Sequence, residues 1–183
     1  MTDTADRFAA AAARFTQCVN AVPAHAWSNP SPCEGWTARD IVRHLVEWVP
    51  GFYTSNANLT FPAGPSVDDD PAAAWAAVRD AILAALADPA VAGFEFDGRA
   101  GKMSVEQSIG MIVTGDVLIH TWDLARAAGL DETLDADEVH RMYEGVQPFD
   151  EILRSSGHFG PRVAVPDSAD EQTKLLAFMG RNP

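Results

Sequence analysis

Apolar residues recur along this chain at the three- and four-residue spacing of amphipathic helices, and polar turn residues break them into segments. Residues 4–22 form an alanine-rich stretch with Phe8, Phe15 and Val19 near one face, ended by Pro23. Residues 28–35 are dense in turn formers and read as a loop. A second helix starts at Thr37, where Asp40 three positions on completes a capping box. Its inward stripe runs from Ile41 through His44 to Trp48, and Pro50-Gly51 stops or kinks it after Val49. Residues 57–67 carry Pro62, Gly64 and Pro65 and form a long connection. Asp70 as cap and Pro71 at the first helical position open a third helix, striped by Trp75, Val78, Ile82 and Leu86 and ending near Asp88-Pro89.

Alternation over residues 94–103, around Asp97-Gly98, predicts a short β-hairpin. Ser104 and Gln107 form a second capping box, opening the longest helix, which runs to about Ala128 with Gly129 as its stop. Its inward face is Ile112, Val113, Asp116, Val117, His120, Asp123 and Leu124. Asp135 with Glu138 starts a fifth helix through Val146, broken at Pro148. Residues 156–167 are irregular, with Gly157, Gly160, Pro161 and Pro166. Ser168 with Glu171 caps a last short helix carrying Leu175, Leu176, Phe178 and Met179. The expected fold class is all-α: a four-helix bundle with a long crossover, a hairpin before the fourth helix and short C-terminal helices, in a single domain over residues 1–183.

Three side chains interrupt these apolar stripes. Asp116 and His120 stand four apart, which puts a carboxylate and an imidazole on one helix face, one turn apart. His44 lies between Ile41 and Trp48 on the inward stripe of the second helix. A buried carboxylate needs a partner, and two imidazoles with one carboxylate are a standard ligand set for a divalent metal with an open position. The alternative is a hydrogen-bonded Asp–His cluster. Asp123, three residues beyond His120, is an acceptor that orients a ligand imidazole, the partner of Arg43 or Arg126 in a salt bridge, or a member of a rival ligand set His44, His120, Asp123.

Composition narrows the function classes. Hydrophobic content of 47% with 21% charge fits a soluble globule, and no apolar run reaches the ~18 residues of a membrane span. The acidic start Met1-Thr-Asp-Thr-Ala-Asp6 lacks the basic region of a signal peptide, so a cytoplasmic protein is expected. A net charge of −13 argues against nucleic acid or an anionic membrane as partner. Cys18 and Cys33 make neither a Cys-x-x-Cys module nor a disulfide framework. Cys33 precedes the second helix by about one turn; it is a loop residue filling a gap or a thiol activated by the helix terminus. His25, His140 and His158 fall at surface positions, and Arg43, Arg126 and Arg162 read as solvated surface residues or as holders of a ligand's anionic groups. Trp36, Trp48 and Trp122 flank the candidate ligands, as core or as the mouth of a site.

The segments Pro32-Cys-Glu-Gly-Trp-Thr-Ala-Arg-Asp-Ile-Val-Arg-His44 and Gly115-Asp-Val-Leu-Ile-His-Thr-Trp-Asp-Leu-Ala-Arg-Ala127 resemble the mycothiol-dependent maleylpyruvate isomerase-like proteins of the DinB metal-binding superfamily. The stretch from Val163-Ala-Val-Pro-Asp167 to Leu175-Leu-Ala-Phe-Met-Gly-Arg-Asn-Pro183 is similar to one small single-domain branch of that group. The resemblance implies a four-helix bundle holding zinc or nickel through His44, Asp116 and His120. The isomerase itself has Glu where this chain has Asp116, and it carries a further C-terminal substrate-binding domain without counterpart here, so a different reaction is expected.

The leading expectation is a metal- and mycothiol-dependent transferase or isomerase, in which the metal activates the thiol towards an electrophilic substrate. Its partners are a small-molecule thiol and that substrate, and the alanine-rich helix faces permit a homodimer. The alternatives are a non-catalytic, metal-stabilised binding or sensing module, and a two-His-one-carboxylate iron enzyme. No residue is assigned as proton donor.

Overall fold

Helix termini are set by local hydrogen bonds that the sequence encodes. The computed structural model describes residues 2–98, 101–155 and 160–183, most of them helical. Helix α1 spans Asp3–Ala21, where Thr2 Oγ1 accepts from the Ala5 N–H. Helix α2 spans Ala38–Ala57 behind the full Thr37/Asp40 capping box. Helix α3, Pro71–Ala87, starts on Asp70 with a proline at its first position, and a one-turn helix α4, Pro89–Ala92, follows. Strands β1 (Glu95–Gly98) and β2 (Gly101–Ser104) pair antiparallel with Phe96 opposite Met103, and Asp97 and Gly98, expected at the turn, stand inside β1 opposite Lys102 and Gly101. Helix α5 (Val105–Ser108), behind the Ser104/Gln107 capping box, a π-helical turn (Ile109–Val113) and helix α6 (Thr114–Ala128) follow without a break. Helix α7 (Ala136–Val146) is separated by a tight turn from helix α8 (Asp150–Ser155), and helix α9 (Glu171–Phe178) comes last.

The long helices α1 and α2 each pack against both α3 and α6. Their shared core includes Phe8, Phe15, Ile41, Leu45, Tyr53, Trp75, Ile82 and Leu124. Phe15 meets Trp75 edge to face at 4.9 Å, and the Trp75 indole N–H donates to Thr16 Oγ1 at 2.9 Å, so the ring buries its apolar body while its polar edge is satisfied. A second cluster joins Leu118, Ile119 and Trp122 of α6 to Leu134, Val139, Leu175 and Phe178. Helix α6 is therefore covered on both sides, and Val117 to Ala125 are all buried. Beneath the second cluster, Glu138 of α7 accepts from Arg7 of α1 at 2.5 and 2.9 Å.

Four further details differ from the sequence reading. Helix α2 continues past Val49 through Pro50 to Ala57. Proline removes one helical hydrogen bond, at a cost of about 3 kcal/mol in a helix interior, but Tyr53 and Ala57 beyond it are buried. Their packing carries the helix to Asn58, which ends it in the left-handed conformation (φ 52°). Ile112 is 38% exposed rather than inward. The π turn inserts an extra residue, stapled by Thr114 Oγ1 donating to the Ile109 carbonyl at 3.0 Å, and turns Met111 and Ile112 outward. The cap of α9 is Asp170, whose Oδ1 accepts from the Thr173 N–H at 2.7 Å, not Ser168. Beyond Pro148, expected to break the fifth helix, the chain resumes helical form as α8. Arg99 and Ala100 of the hairpin, and Gly157 and His158, lie outside the described residues.

Candidate metal centre

The loop before α2 is a small hydrogen-bonded structure of its own. Ser31 N–H donates to the Trp36 carbonyl, and Trp36 N–H donates to the Cys33 carbonyl. Gly35 takes a positive φ of 77° to close the turn. Asn29 Nδ2 donates to the Ala127 carbonyl at 2.9 Å, which fastens this loop to α6. Trp36 and Cys33 are thereby held beside the face of α6 that carries Asp116, His120 and Asp123.

Asp116 stands between the two imidazoles. Its Oδ2 is 3.1 Å from His44 Nε2, its Oδ1 is 3.4 Å from His120 Nε2, and the Trp48 indole N–H donates to Oδ2 at 2.8 Å. The ligand atoms of His44, Asp116 and His120 all lie within 4.8 Å of one another. Donors of a tetrahedral zinc, at bond lengths of ~2.0–2.1 Å, sit about 3.3 Å apart. The three donors lie close enough to converge on one ion with small side-chain shifts, and the set of two imidazoles and a carboxylate suits a divalent cation with an open coordination position. Trp36 stacks over His120 at 6.0 Å and meets His44 at 5.1 Å. Trp48 lies 6.0 Å from His44 and continues into Phe52. Trp36 and Trp48 form an aromatic wall around half-buried groups, whereas Trp122 is core.

The opposite nitrogen of His120 has its own partner. Nδ1 lies 2.9 Å from Asp123 Oδ2, and Asp123 is fully buried. Arg181, just after α9, donates to both carboxylate oxygens, from Nη2 to Oδ2 at 2.8 Å and from Nε to Oδ1 at 3.2 Å. Cys33 Sγ sits 3.5 Å from Asp123 Oδ2 and 3.3 Å from Arg181 Nη2. Cys33, His120 and Asp123 also form a compact donor group. Arg181 already supplies the cation on that side, so the Nε2 side, with Asp116 and His44, is the better place for a metal.

Charge follows this layout. Burial alone would lower the proton affinity of His120, but the Asp116 charge, the Asp123 hydrogen bond and the Cys33 contact outweigh it and push the imidazole up to about 10. Burial likewise works to raise Asp123, and the His120 hydrogen bond and charge, with Arg181, overcome it and hold the carboxylate at about 2. Asp116 is also lowered: burial opposes this, but the His120 charge and the bonds from His44 and Trp48 prevail. The two flanking carboxylates favour the charged form of His120, whereas holding a metal through Nε2 would require the neutral ring.

Other expected partners sort differently. Arg43 pairs with Asp68 at 2.7 Å and Arg126 with Glu132 at 2.6 Å, so neither holds Asp123. Arg162 pairs with Asp150, and exposed His140 with Glu171. Both cysteines are free, and burial raises the Cys18 thiol to about 11. A cleft of about 580 Å³ along α1, α6 and α7 and one of about 370 Å³ beside α9 include none of the candidate ligands. Arg181 is the member of the site that sequence reasoning missed. The local signal was Gly180 after an apolar helix, which marks a chain reversal, but its partner lies 58 residues away.

A family model described as the mycothiol maleylpyruvate isomerase N-terminal domain matches residues 8–125. Two uncharacterized proteins from Mycobacterium tuberculosis strains, CDC 1551 / Oshkosh and H37Rv, are each 32% identical over 172 residues, covering 91% of this chain and 91% of their own length. No solved structure matches the chain. Among the described residues, no helix is long and apolar enough to cross a membrane. The match spans both candidate-ligand helices up to Ala125, and the chain belongs to the mycothiol maleylpyruvate isomerase N-terminal domain family, within the DinB-like superfamily.

Proposed function

We propose that this protein is a cytoplasmic divalent-metal-binding enzyme, built on a DinB-type four-helix bundle, that uses a low-molecular-weight thiol such as mycothiol in a transfer or isomerisation reaction. The observation that carries the reading is the meeting of His44, Asp116 and His120, from helices α2 and α6, with ligand atoms within 4.8 Å. The family description, with its mention of mycothiol, supplies the thiol. His44, Asp116 and His120 would hold the metal, zinc or nickel by donor type. A bound divalent cation with an open position supplies Lewis acidity that lowers the proton affinity of a coordinating thiol.

The chain's own residues do the rest. Asp116 brings the negative charge that makes the pocket attractive to a cation, and Trp48 fixes the direction of that carboxylate. Asp123 orients His120 from the far nitrogen. Trp36 and Trp48 lie against the His44 ring and offer flat apolar surface to a substrate. The test is a cobalt-loaded Cys33→Ser protein titrated with mycothiol or a simpler thiol. A new sulfur-to-cobalt absorption band that appears only with added thiol supports the reading, because Cys33, the cysteine grouped with the donor atoms of His120 and Asp123, has been removed. A spectrum unchanged at saturating thiol sinks the thiol role.

A further inference from the structure

Helix α9 ends in a turn that sends the chain back towards α6. Gly180 N–H donates to the Ala177 carbonyl at 3.1 Å and Arg181 N–H to the Leu176 carbonyl at 2.9 Å, the paired bonds of a Schellman motif. Gly180 takes a φ of 85°, and a Cβ there would lie 3.0 Å from Gly160 Cα and 3.2 Å from the Pro161 carbonyl oxygen. The turn therefore depends on glycine twice, for its backbone angle and for its space. Its consequence is the placement of the next side chain. Arg181 is 14% exposed and lays its guanidinium along both oxygens of Asp123 in the side-on fork geometry that lysine cannot reproduce. Its third nitrogen, Nη1, donates to the Met179 carbonyl at 3.2 Å. Arg126 Nη1 donates to the Asn182 carbonyl at 3.0 Å, so the residue after Arg181 is tied to α6 as well.

Asp123 has little freedom once Arg181 is in place, and Asp123 is the group that faces His120 Nδ1. We infer that Arg181 is a positioning residue of the candidate metal centre: acting through Asp123, it fixes the His120 ring with Nδ1 turned to the carboxylate and Nε2 turned towards His44 and Asp116. The inference rests on the metal reading of those three residues and extends it to the segment after α9, which lies beyond the stretch matched by the family model. The bulk of Arg181 and its charge also keep a metal off the Cys33 side of the same imidazole.

The experiment measures cobalt and zinc affinity, by competition with a chelator, for the wild-type chain, Arg181→Met, Arg181→Lys, Asp123→Asn and the Arg181→Met/Asp123→Asn double variant. Removing a group that orients a metal-bound histidine costs about 10–100-fold in affinity. Arg181→Met is expected to lose that much, Arg181→Lys to recover part of it, and the double variant to lose no more than the worse single one, because both act along one line. The cobalt absorption spectrum should change with Arg181→Met, since the ligand field senses the His120 ring. A purely structural role would instead lower the unfolding temperature while leaving affinity and spectrum where they were. Should Arg181→Met fail to fold, Arg181→Lys, which keeps the charge and loses the fork, carries the comparison. Wild-type protein that takes up no metal overturns the metal reading and this inference with it. Wild-type that binds, with variants of equal affinity and identical spectra, overturns the role of Arg181 alone.

Discussion

Trp48 donates its indole N–H to Asp116 Oδ2 over 2.8 Å, and the same oxygen is 3.1 Å from His44 Nε2. One turn of α2 thus places both a candidate ligand and the group that aims the opposing carboxylate. Trp48→Phe keeps the aromatic wall and removes only the donor. Its metal affinity should fall about tenfold, at the lower end for groups that orient ligands, with an unchanged helical spectrum. Equal affinity would show that Asp116 is aimed without Trp48.

His44→Ala and His120→Ala should each abolish stoichiometric metal binding while the protein stays folded, and Asp116→Asn should weaken it strongly. Asp123→Asn should be milder, because Asp123 faces the nitrogen that points away from His44 and Asp116. Chelator competition across the four variants checks the order. If Asp123→Asn proves the most damaging, the ligand set is the rival one.

Metal binding should release a proton near neutral pH. His120 is pushed up to about 10 by Asp116 and Asp123 against the effect of burial, so a metal must displace its Nε2 proton. Titration calorimetry in buffers of different ionisation enthalpy should give about one proton released per metal, and affinity should rise with pH up to about 10. Heats independent of the buffer would mean that His120 is already neutral.

The metal-free protein should lose stability towards alkaline pH. A group raised from 6.5 to about 10 stabilises the fold fully below 6.5 and loses that contribution as pH climbs through 10. Asp123, lowered from 3.8 to about 2, contributes above 3.8 and loses its share only as pH falls through 2. Denaturant unfolding between pH 6 and 10 should therefore show a falling limb that His120→Phe flattens. A slope of the same size in His120→Phe would place its cause elsewhere.

Thr37→Ala should cost about 1 kcal/mol of stability, the usual worth of a helix cap. Thr37 Oγ1 accepts from the Asp40 N–H, while Asp40 Oδ2 accepts the Thr37 N–H at 2.9 Å. The urea midpoint reads this directly, and a change below about 0.3 kcal/mol would mean that the loop packing of Trp36 already fixes the helix start.

The parts of this molecule legible in its sequence are those governed by spacing. Both capping boxes, the Asp70-Pro71 start and the existence of the hairpin follow from neighbours within a few residues, whereas the hairpin register does not, because Asp97 and Gly98 pair with Lys102 and Gly101 instead of forming the turn. The meeting of His44, Asp116 and His120 was legible because each interrupts an apolar stripe, and a polar group turned inward needs company. What escaped is tertiary. Packing of Tyr53 carries α2 through Pro50, and the π turn that exposes Met111 and Ile112 leaves no mark in the apolar periodicity. Arg181 and Asp123 meet only because a Schellman turn reverses the chain 58 residues downstream.

The most direct test is metal content of tag-free protein by mass spectrometry, beside His120→Ala. The expected result is about one zinc or nickel per chain, absent from the variant. No metal as isolated, and none after exposure to zinc, nickel, manganese or ferrous iron, would contradict the metal centre and leave His44, Asp116 and His120 as a hydrogen-bonded cluster.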